Sequence, residues 1–113
     1  MNELVTMTII NDGHDLIAVF KALSNGARLQ ILQWLKEPEK NFPLQDAADV
    51  HKLGVCVTLI QSKIGLSQST VSQYLAELQK ANLVHSTRQG QWTYYKRNEK
   101  GIADLADRIK HSL

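Results

Sequence analysis

The sequence of 113 residues contains only one cysteine, Cys56. One thiol cannot form an intramolecular disulfide, so the small disulfide-stapled domains of secreted proteins are excluded. No stretch approaches the ~18 consecutive apolar residues of a membrane-spanning helix, and the first residues lack the basic and apolar regions of a secretory signal. These absences predict a cytoplasmic protein that does not associate with membranes.

Patterns typical of catalytic and cofactor sites are also missing. The sequence has no glycine-rich phosphate-binding loop, no nucleophile motif and no cluster of cysteines and histidines. We therefore expect neither an enzyme nor a resident cofactor or metal. Net charge is small as well, because 13 basic and 11 acidic residues give +2. A charge of this size does not by itself indicate a nucleic-acid partner.

The composition that remains is that of one globular domain. Apolar residues make up 43% of the chain and charged residues 21%, close to the averages for globular proteins. A chain of about 100 to 150 residues buries enough surface to fold without disulfides. We predict a loosely ordered lead-in at residues 1–13 and a single domain at residues 14–113.

Apolar residues at helical spacing predict two helices in the first third of the domain, with Ser24 or Asn25 as the cap between them. The residues that set this spacing are Leu16, Phe20 and Leu23 in the first helix and Leu29, Leu32 and Leu35 in the second. Both prolines follow in a long connection at residues 37–54, which is predicted to contain a helical turn near its end. Thr58 and Gln61 then fit the capping box of a short helix that ends at Gly65.

The stretch GLSQSTVSQYLAELQKANLV, residues 65–84, carries the strongest pattern. Ser67 is placed to cap a helix that runs to about Asn82 and follows the preceding helix after a turn of only two residues. Such a pair is a helix-turn-helix. The side that can be buried carries Val71, Leu75, Leu78 and Asn82. The opposite side carries Ser69, Ser72, Gln73 and Lys80.

The stretch LVHSTRQGQWTYYKRN alternates apolar and polar residues on both sides of Gln89 and Gly90, which predicts a β-hairpin. A last helix is indicated by one-face spacing of Ile102, Leu105, Ala106, Ile109 and Leu113. The predicted fold is mainly α within the α+β class. It is a winged helix-turn-helix of about five helices with a two-stranded β-hairpin wing.

In a helix-turn-helix the second helix enters the DNA major groove with its first residues at the base edges. Amide and hydroxyl groups there can bind bases and phosphates, and basic residues beside them bind phosphates. The candidate DNA-binding residues are Gln68, Ser69, Thr70, Ser72, Gln73, Lys80, Arg88, Gln89 and Gln91. Residues 67–98 hold four basic residues and one acidic residue, a local charge of +3 that favours DNA. The alternatives are a capped, solvated helix and a winged-helix module that binds a protein partner.

Two further features have a functional and a structural interpretation. Cys56 is a candidate redox sensor or metal ligand, but the sequence supplies no second soft ligand nearby, and a cysteine between valines is commonly structural. Asp104, Asp107 and His111 have the spacing of part of a metal site across a dimer interface, or of ordinary surface residues.

Three segments together resemble the ArsR/SmtB family of bacterial winged-helix repressors. They are FKALSNGARLQILQWL, LSQSTVSQYLAELQKANLV and RQGQWTYYKRN, and the likeness covers about residues 15–110 outside the long connection. The resemblance implies a homodimer, paired through the first and last helices, that occupies a palindromic operator of double-stranded DNA and leaves it when an inducer binds.

The sequence departs from the family's metal-sensing patterns. Where arsenic-sensing members have a Cys-x-Cys pair, this chain has Cys56-Val57-Thr58, and the zinc pattern of the last helix is incomplete. Gly26 stands where the family often has proline, and the connection at residues 37–54 is longer than usual. The resemblance therefore supports DNA binding and leaves the inducer open. A one-thiol redox switch at Cys56, a small-molecule pocket that involves the connection, and no inducer at all are the alternatives.

Overall fold

The structure, a computed structural model, describes residues 15–113; the lead-in predicted at residues 1–13 lies outside the described residues. Seven helices and three strands follow one another within the described range. They are α1 (Leu16–Leu23), α2 (Gly26–Lys36), α3 (Pro38–Asn41), α4 (Ala47–Leu53), β1 (Val55–Cys56), α5 (Val57–Ile64), α6 (Gln68–Lys80), β2 (Val84–Gln89), β3 (Trp92–Arg97) and α7 (Glu99–Ser112). The five predicted helices and the hairpin are present, and the connection contains two short helices, of which α4 is the helical turn predicted near its end.

Side-chain caps account for most helix starts. Asn25 accepts a hydrogen bond from the Arg28 amide, and Ser67 accepts one from the Thr70 amide, so both expected caps are confirmed. The capping box proposed for Thr58 and Gln61 is wrong. Helix α5 begins at residue 57 with no side-chain cap, because it follows directly from the paired strand β1. Gly65 ends this helix in the left-handed conformation, as predicted.

The core lies between α1, α2, α5, α6 and the sheet. On α6 the predicted inward residues Val71, Leu75 and Leu78 are fully buried. On α1 and α2 the prediction is confirmed for Leu32 and Leu35, which are buried, and for Leu16 and Leu23, which pack against the core; it is wrong for one residue on each helix. Phe20 is 38% exposed and Leu29 is 40% exposed. Their places in the core are taken by Val19, Ala22 and Ile31, and the last helix buries Leu105 while Ala106 and Leu113 are exposed.

The wing belongs to a three-stranded antiparallel sheet in the order β1-β3-β2. The strand β1 was not predicted. Val55 pairs with Tyr95 and Cys56 pairs with Tyr94. Gly54 precedes this pairing at a positive φ of 103°, and a Cβ atom there would lie 2.5 Å from the Tyr95 carbonyl oxygen. The close approach of β1 to β3 therefore requires a glycine at this position.

The connection is attached to the domain at both ends. Phe42 is buried in the core, and Lys63 lies over the Trp34 ring at 5.0 Å and over the Phe42 ring at 5.8 Å. At the other end the Gln45 amide donates to the Gly54 carbonyl at 2.8 Å and accepts from the Cys56 amide at 2.9 Å. The side chain of Gln45 therefore forms hydrogen bonds with the backbone groups at the outer edge of β1, as a neighbouring strand would.

A buried asparagine joins the end of α6 to the start of α7. Helix α6 ends at Lys80, two residues before the predicted end, and Asn82 has a positive φ of 66°. Asn98 donates to the Asn82 carbonyl at 3.1 Å and to its side-chain oxygen at 3.0 Å, and accepts from the Gly101 amide at 2.9 Å. We call these three residues the asparagine junction. It fixes the last helix relative to the helix-turn-helix.

Candidate nucleic-acid interface

Helices α5 and α6 form the predicted helix-turn-helix, with residues 65–67 between them. Because Val71, Leu75 and Leu78 pack into the core, the opposite side of α6 faces solvent. The exposed polar residues of its first two turns are Gln68, Ser69, Ser72 and Gln73. The structure therefore gathers most of the predicted recognition residues on one surface.

The start of α6 is a cluster of hydroxyl groups. The Ser67 hydroxyl accepts from the Thr70 amide at 3.2 Å, donates to the Thr70 hydroxyl at 2.8 Å, and lies 3.3 Å from the Ser69 hydroxyl. Thr70 is half-buried and engaged in this cap, whereas Ser69 is exposed. A helix start with free amides and hydroxyls is a favourable place for a phosphate group.

Lys80 does not belong to this cluster. It is the last residue of α6, and the 13 residues of the helix separate it from Gln68 by about 18 Å at 1.5 Å per residue. Lys80 is exposed and lies beside α1, near Asp15 and Lys21. If Lys80 contacts DNA, we expect it to bind a phosphate at some distance from the bases that the start of α6 reaches.

Arg28 anchors α6, the second helix of the helix-turn-helix, which we call the recognition helix. The sequence did not reveal this role. Its guanidinium lies 5.1 Å from the Tyr74 ring centre and forms an ion pair with Glu77 at 3.0 Å. The same group donates to the Ala22 carbonyl at 2.7 Å and the Lys21 carbonyl at 3.1 Å, at the end of α1. One largely buried side chain thus fixes α6 relative to α1 and α2. The sequence contains no signal for this role, because the partners are distant along the chain.

The wing places its predicted residues at the hairpin tip. Gln89 pairs with Trp92 across the strands, and Gly90 has a positive φ of 63° in the turn. Arg88 donates to the Gly90 carbonyl at 3.1 Å, and both Arg88 and Gln91 are exposed. Among the hairpin aromatics, Tyr95 packs against the core, whereas Trp92 is 45% exposed.

Cys56 is half-buried between β1 and α5, with its sulfur 3.2 Å from the Thr58 hydroxyl oxygen. Residues 15–113 contain no group of three or more His, Cys, Asp or Glu residues placed to hold a metal ion. On α7, Asp104, Asp107 and His111 line a shallow depression together with Arg108. Lys100 donates to Asp104 at 2.8 Å, and this hydrogen bond raises the pKa of the lysine.

The described helices include none that is long and apolar enough to cross a membrane. The helix-turn-helix, its exposed polar face and the adjoining wing define a winged helix-turn-helix DNA-binding protein, a class of transcriptional regulators rather than enzymes. Residues 55–86 match the family model described as "Bacterial regulatory protein, arsR family". The chain belongs to the ArsR family, as the three resembling segments implied.

Relatives of known sequence or structure agree with this assignment. The chain is 53% identical over 97 residues to the HTH-type transcriptional regulator YbzH of Bacillus subtilis, covering 86% of this chain and 97% of that protein. It is similar to a homodimeric winged helix-turn-helix DNA-binding domain from Mycobacterium bovis, with a TM-score of 0.59, 25% identity, and 94% and 82% of the two chains covered. HlyU from Vibrio cholerae is similar at a TM-score of 0.54, with 26% identity and 86% and 91% covered.

Proposed function

We propose that this transcriptional regulator is a homodimeric repressor that occupies a palindromic operator and is released by a signal. The observation that carries the proposal is the exposed face of α6, where Gln68, Ser69, Ser72 and Gln73 replace the usual Glu and Lys residues of a surface helix. Two copies related by a two-fold axis would present this face to half-sites one helical turn apart. A repressor of this kind acts by covering its operator.

The proposed base contacts come from the first two turns of α6. Glutamine can bind adenine through two hydrogen bonds, and serine can donate to or accept from either a base or a phosphate. In the wing, Arg88, Gln89 and Gln91 are proposed to contact the backbone or the minor groove. Lys80 and Thr70 are proposed to contribute less to specificity, since the first lies at the far end of the helix and the second is engaged in the cap.

The proposed dimer interface uses α1 and α7. Helix α1 leaves Ile17 64% exposed and Phe20 38% exposed, although both residues are large and apolar. Helix α7 presents Ile102 and Ile109 partly buried against the core. We call the apolar surface of these two helices the dimer face. A second copy would remove it from water, and the similar domain from Mycobacterium bovis is described as homodimeric.

Fluorescence anisotropy with DNA from upstream of the protein's own gene tests the DNA proposal. The wild-type chain is expected to prefer this DNA over a scrambled sequence, with affinity that falls steeply with salt. Gln73→Ala is expected to weaken the specific site by about tenfold and to leave the scrambled DNA unaffected. Gln79→Ala, an exposed glutamine farther along α6, is the matched control. Specific binding that survives both Gln73→Ala and Ser69→Ala would refute the recognition surface, and absence of DNA binding would favour the protein-interaction module.

Sedimentation tests the dimer face. Ile17→Glu is expected to shift the wild-type dimer to a monomer, since it places a charge in an apolar interface. Leu44→Glu is the matched control, because Leu44 is 89% exposed on the connection and away from both helices. A dimer that is equally stable in the two variants would place the interface elsewhere.

The releasing signal is proposed to be thiol oxidation at Cys56, on the ground that this half-buried thiol immediately precedes α5, the helix before α6. Peroxide is then expected to lower operator affinity of the wild-type chain and to leave Cys56→Ser unchanged. If peroxide still releases the Cys56→Ser chain from operator DNA, this proposal is refuted. The alternatives are then a small-molecule pocket that involves the connection and no inducer at all.

A further inference from the structure

A groove separates the connection from the wing on the outward side of the sheet, and we call it the wing groove. One wall comes from the connection and the other from β3, with β1 between them. The residues that matter to the argument are Leu44, Asp46 and Asp49 on the first wall, Trp92 and Tyr94 on the second, and Cys56 between them.

Backbone pairing builds this groove. Because Cys56 is the cross-strand partner of Tyr94, and Trp92 lies two residues before Tyr94, all three side chains share the face of the sheet that points away from the core. The connection is held beside them by the two hydrogen bonds between the Gln45 amide and the edge of β1. The groove is therefore formed without a ligand, which reduces the entropic cost of binding.

The walls of the groove expose aromatic and aliphatic surface. Trp92 is 45% exposed and Leu44 is 89% exposed, whereas Tyr95 on the other face of the same strand packs against the core. Large apolar side chains that remain in contact with water beside a concave surface are typical of binding sites.

Charge selects the kind of ligand. Asp46 and Asp49 face the groove, and its described lining contains no lysine, arginine or histidine. One oxygen of Asp46 accepts from the amides of residues 48 and 49, which leaves the other oxygen open. Within residues 15–113 the Asp49 carboxylate forms no hydrogen bond or ion pair. Two carboxylates and two aromatic side chains that line the same groove favour a cation and disfavour phosphates and carboxylic acids.

The size of the groove limits the ligand further. Its volume of about 340 Å³ lies at the lower end of the range for small-molecule sites. We propose that the wing groove binds a small organic cation, an ammonium group that carries an aromatic or alkyl substituent. The charged group lies between the aromatic rings and the carboxylates, and the substituent covers Leu44.

Occupancy of the groove links the connection to β3, the strand that ends the wing. A ligand that contacts both walls holds Trp92 and Tyr94 in one position, and with them the hairpin tip. We expect such a ligand to change operator affinity. This second step rests on the proposed function, whereas the binding of the cation does not.

The single cysteine provides a direct assay, because Cys56 is the only thiol in the chain and lies in the groove. The rate of alkylation by iodoacetamide is measured by mass spectrometry at increasing concentrations of benzyltrimethylammonium. Benzyl alcohol and benzoate serve as the neutral and anionic probes, at the same ionic strength. We expect saturable protection by the cation alone. Unprotected alkylation at all cation concentrations, or equal protection by benzoate, would overturn the proposal.

Variants then locate the binding site. Asp46→Asn and Asp49→Asn are each expected to raise the half-protecting concentration by about threefold, and Trp92→Ala by about tenfold. Asparagine also caps helices well, so Asp46→Asn keeps α4 intact. Asp107→Asn, an exposed carboxylate on α7, is the control and should change nothing. Protection that is the same in all four variants would refute the wing groove.

The DNA arm uses the same probes in the anisotropy assay. A cation that protects Cys56 and changes operator affinity supports both steps. Protection of Cys56 in a chain that does not bind DNA would leave the cation site intact and would refute only the proposed function. Protection without a change in the affinity of a chain that does bind DNA would overturn the coupling step.

Discussion

Gly101→Ala is the substitution for which the structure makes the sharpest prediction. Gly101 is buried in the first turn of α7, within the asparagine junction. A Cβ atom at this position would lie 2.2 Å from the Asn82 carbonyl oxygen and 2.6 Å from the Asn98 side-chain nitrogen. The first of these is a backbone atom, so rotation of a side chain cannot relieve the clash. The turn at Asn82 or the start of α7 has to move.

Two effects of opposite sign determine the size of the change. Alanine is favoured over glycine inside a helix by about 1 kcal/mol. Displacement of the junction weakens three hydrogen bonds of Asn98, each worth about 1 kcal/mol, and leaves a buried amide poorly paired. The net loss in the free energy of unfolding is therefore about 2 to 3 kcal/mol, which lowers the melting temperature by about 10 °C.

Urea unfolding followed by circular dichroism, at one protein concentration, measures this loss. Gly26→Ala is the matched control, because Gly26 begins α2 and no atom lies within 4 Å of a Cβ built there. We expect Gly26→Ala to be neutral or slightly stabilising. A Gly101→Ala chain as stable as the wild type would refute the role given to the asparagine junction.

Three further predictions use the same measurement. Gly26→Pro is expected to stabilise the chain by about 0.5 to 1 kcal/mol, because residue 26 is the first of α2 and Asn25 before it is extended; a loss of stability would contradict this. Arg28→Lys should cost about 2 kcal/mol, since an ammonium cannot replace the guanidinium that binds Glu77 and two carbonyls, and a neutral result would exclude the anchoring role. Burial raises the pKa of Tyr95, so the free energy of unfolding should fall as pH rises above about 10. Tyr95→Phe should reduce this loss of stability at high pH, and an unchanged dependence on pH would show that other groups cause the loss.

Local patterns were sufficient to predict most of the fold. Periodic apolar residues and turn signals locate the longer helices, and the alternation around Gly90 locates the hairpin. The two-residue strand β1 has no period to detect. On α1 the apolar run LIAVF allows more than one helix face to be buried. The packing of α1 against α6 buries Val19 rather than the predicted Phe20, and the sequence of α1 alone does not show this.

The candidate interface was only partly predictable for a similar reason. The exposed face of α6 follows from its own periodicity. The roles of Arg28 and Asn98 do not, because their partners lie far away in the sequence. The wing groove likewise exists only because β1 pairs with β3 and brings the connection next to Trp92. Contacts of this kind come from tertiary structure and leave no local signal.

The attachment of the connection has a consequence for protein engineering. Within the connection, Phe42 is buried just before the turn at residues 43–44, and the Gln45 side chain is hydrogen-bonded to the Gly54 carbonyl beside β1 just after it. Leu44 lies between them and is almost fully exposed. The chain can therefore be opened between Pro43 and Leu44 without cutting a helix or strand. A fluorescent reporter domain grafted at that point would sit beside the groove, where the fold could be used as a sensor module.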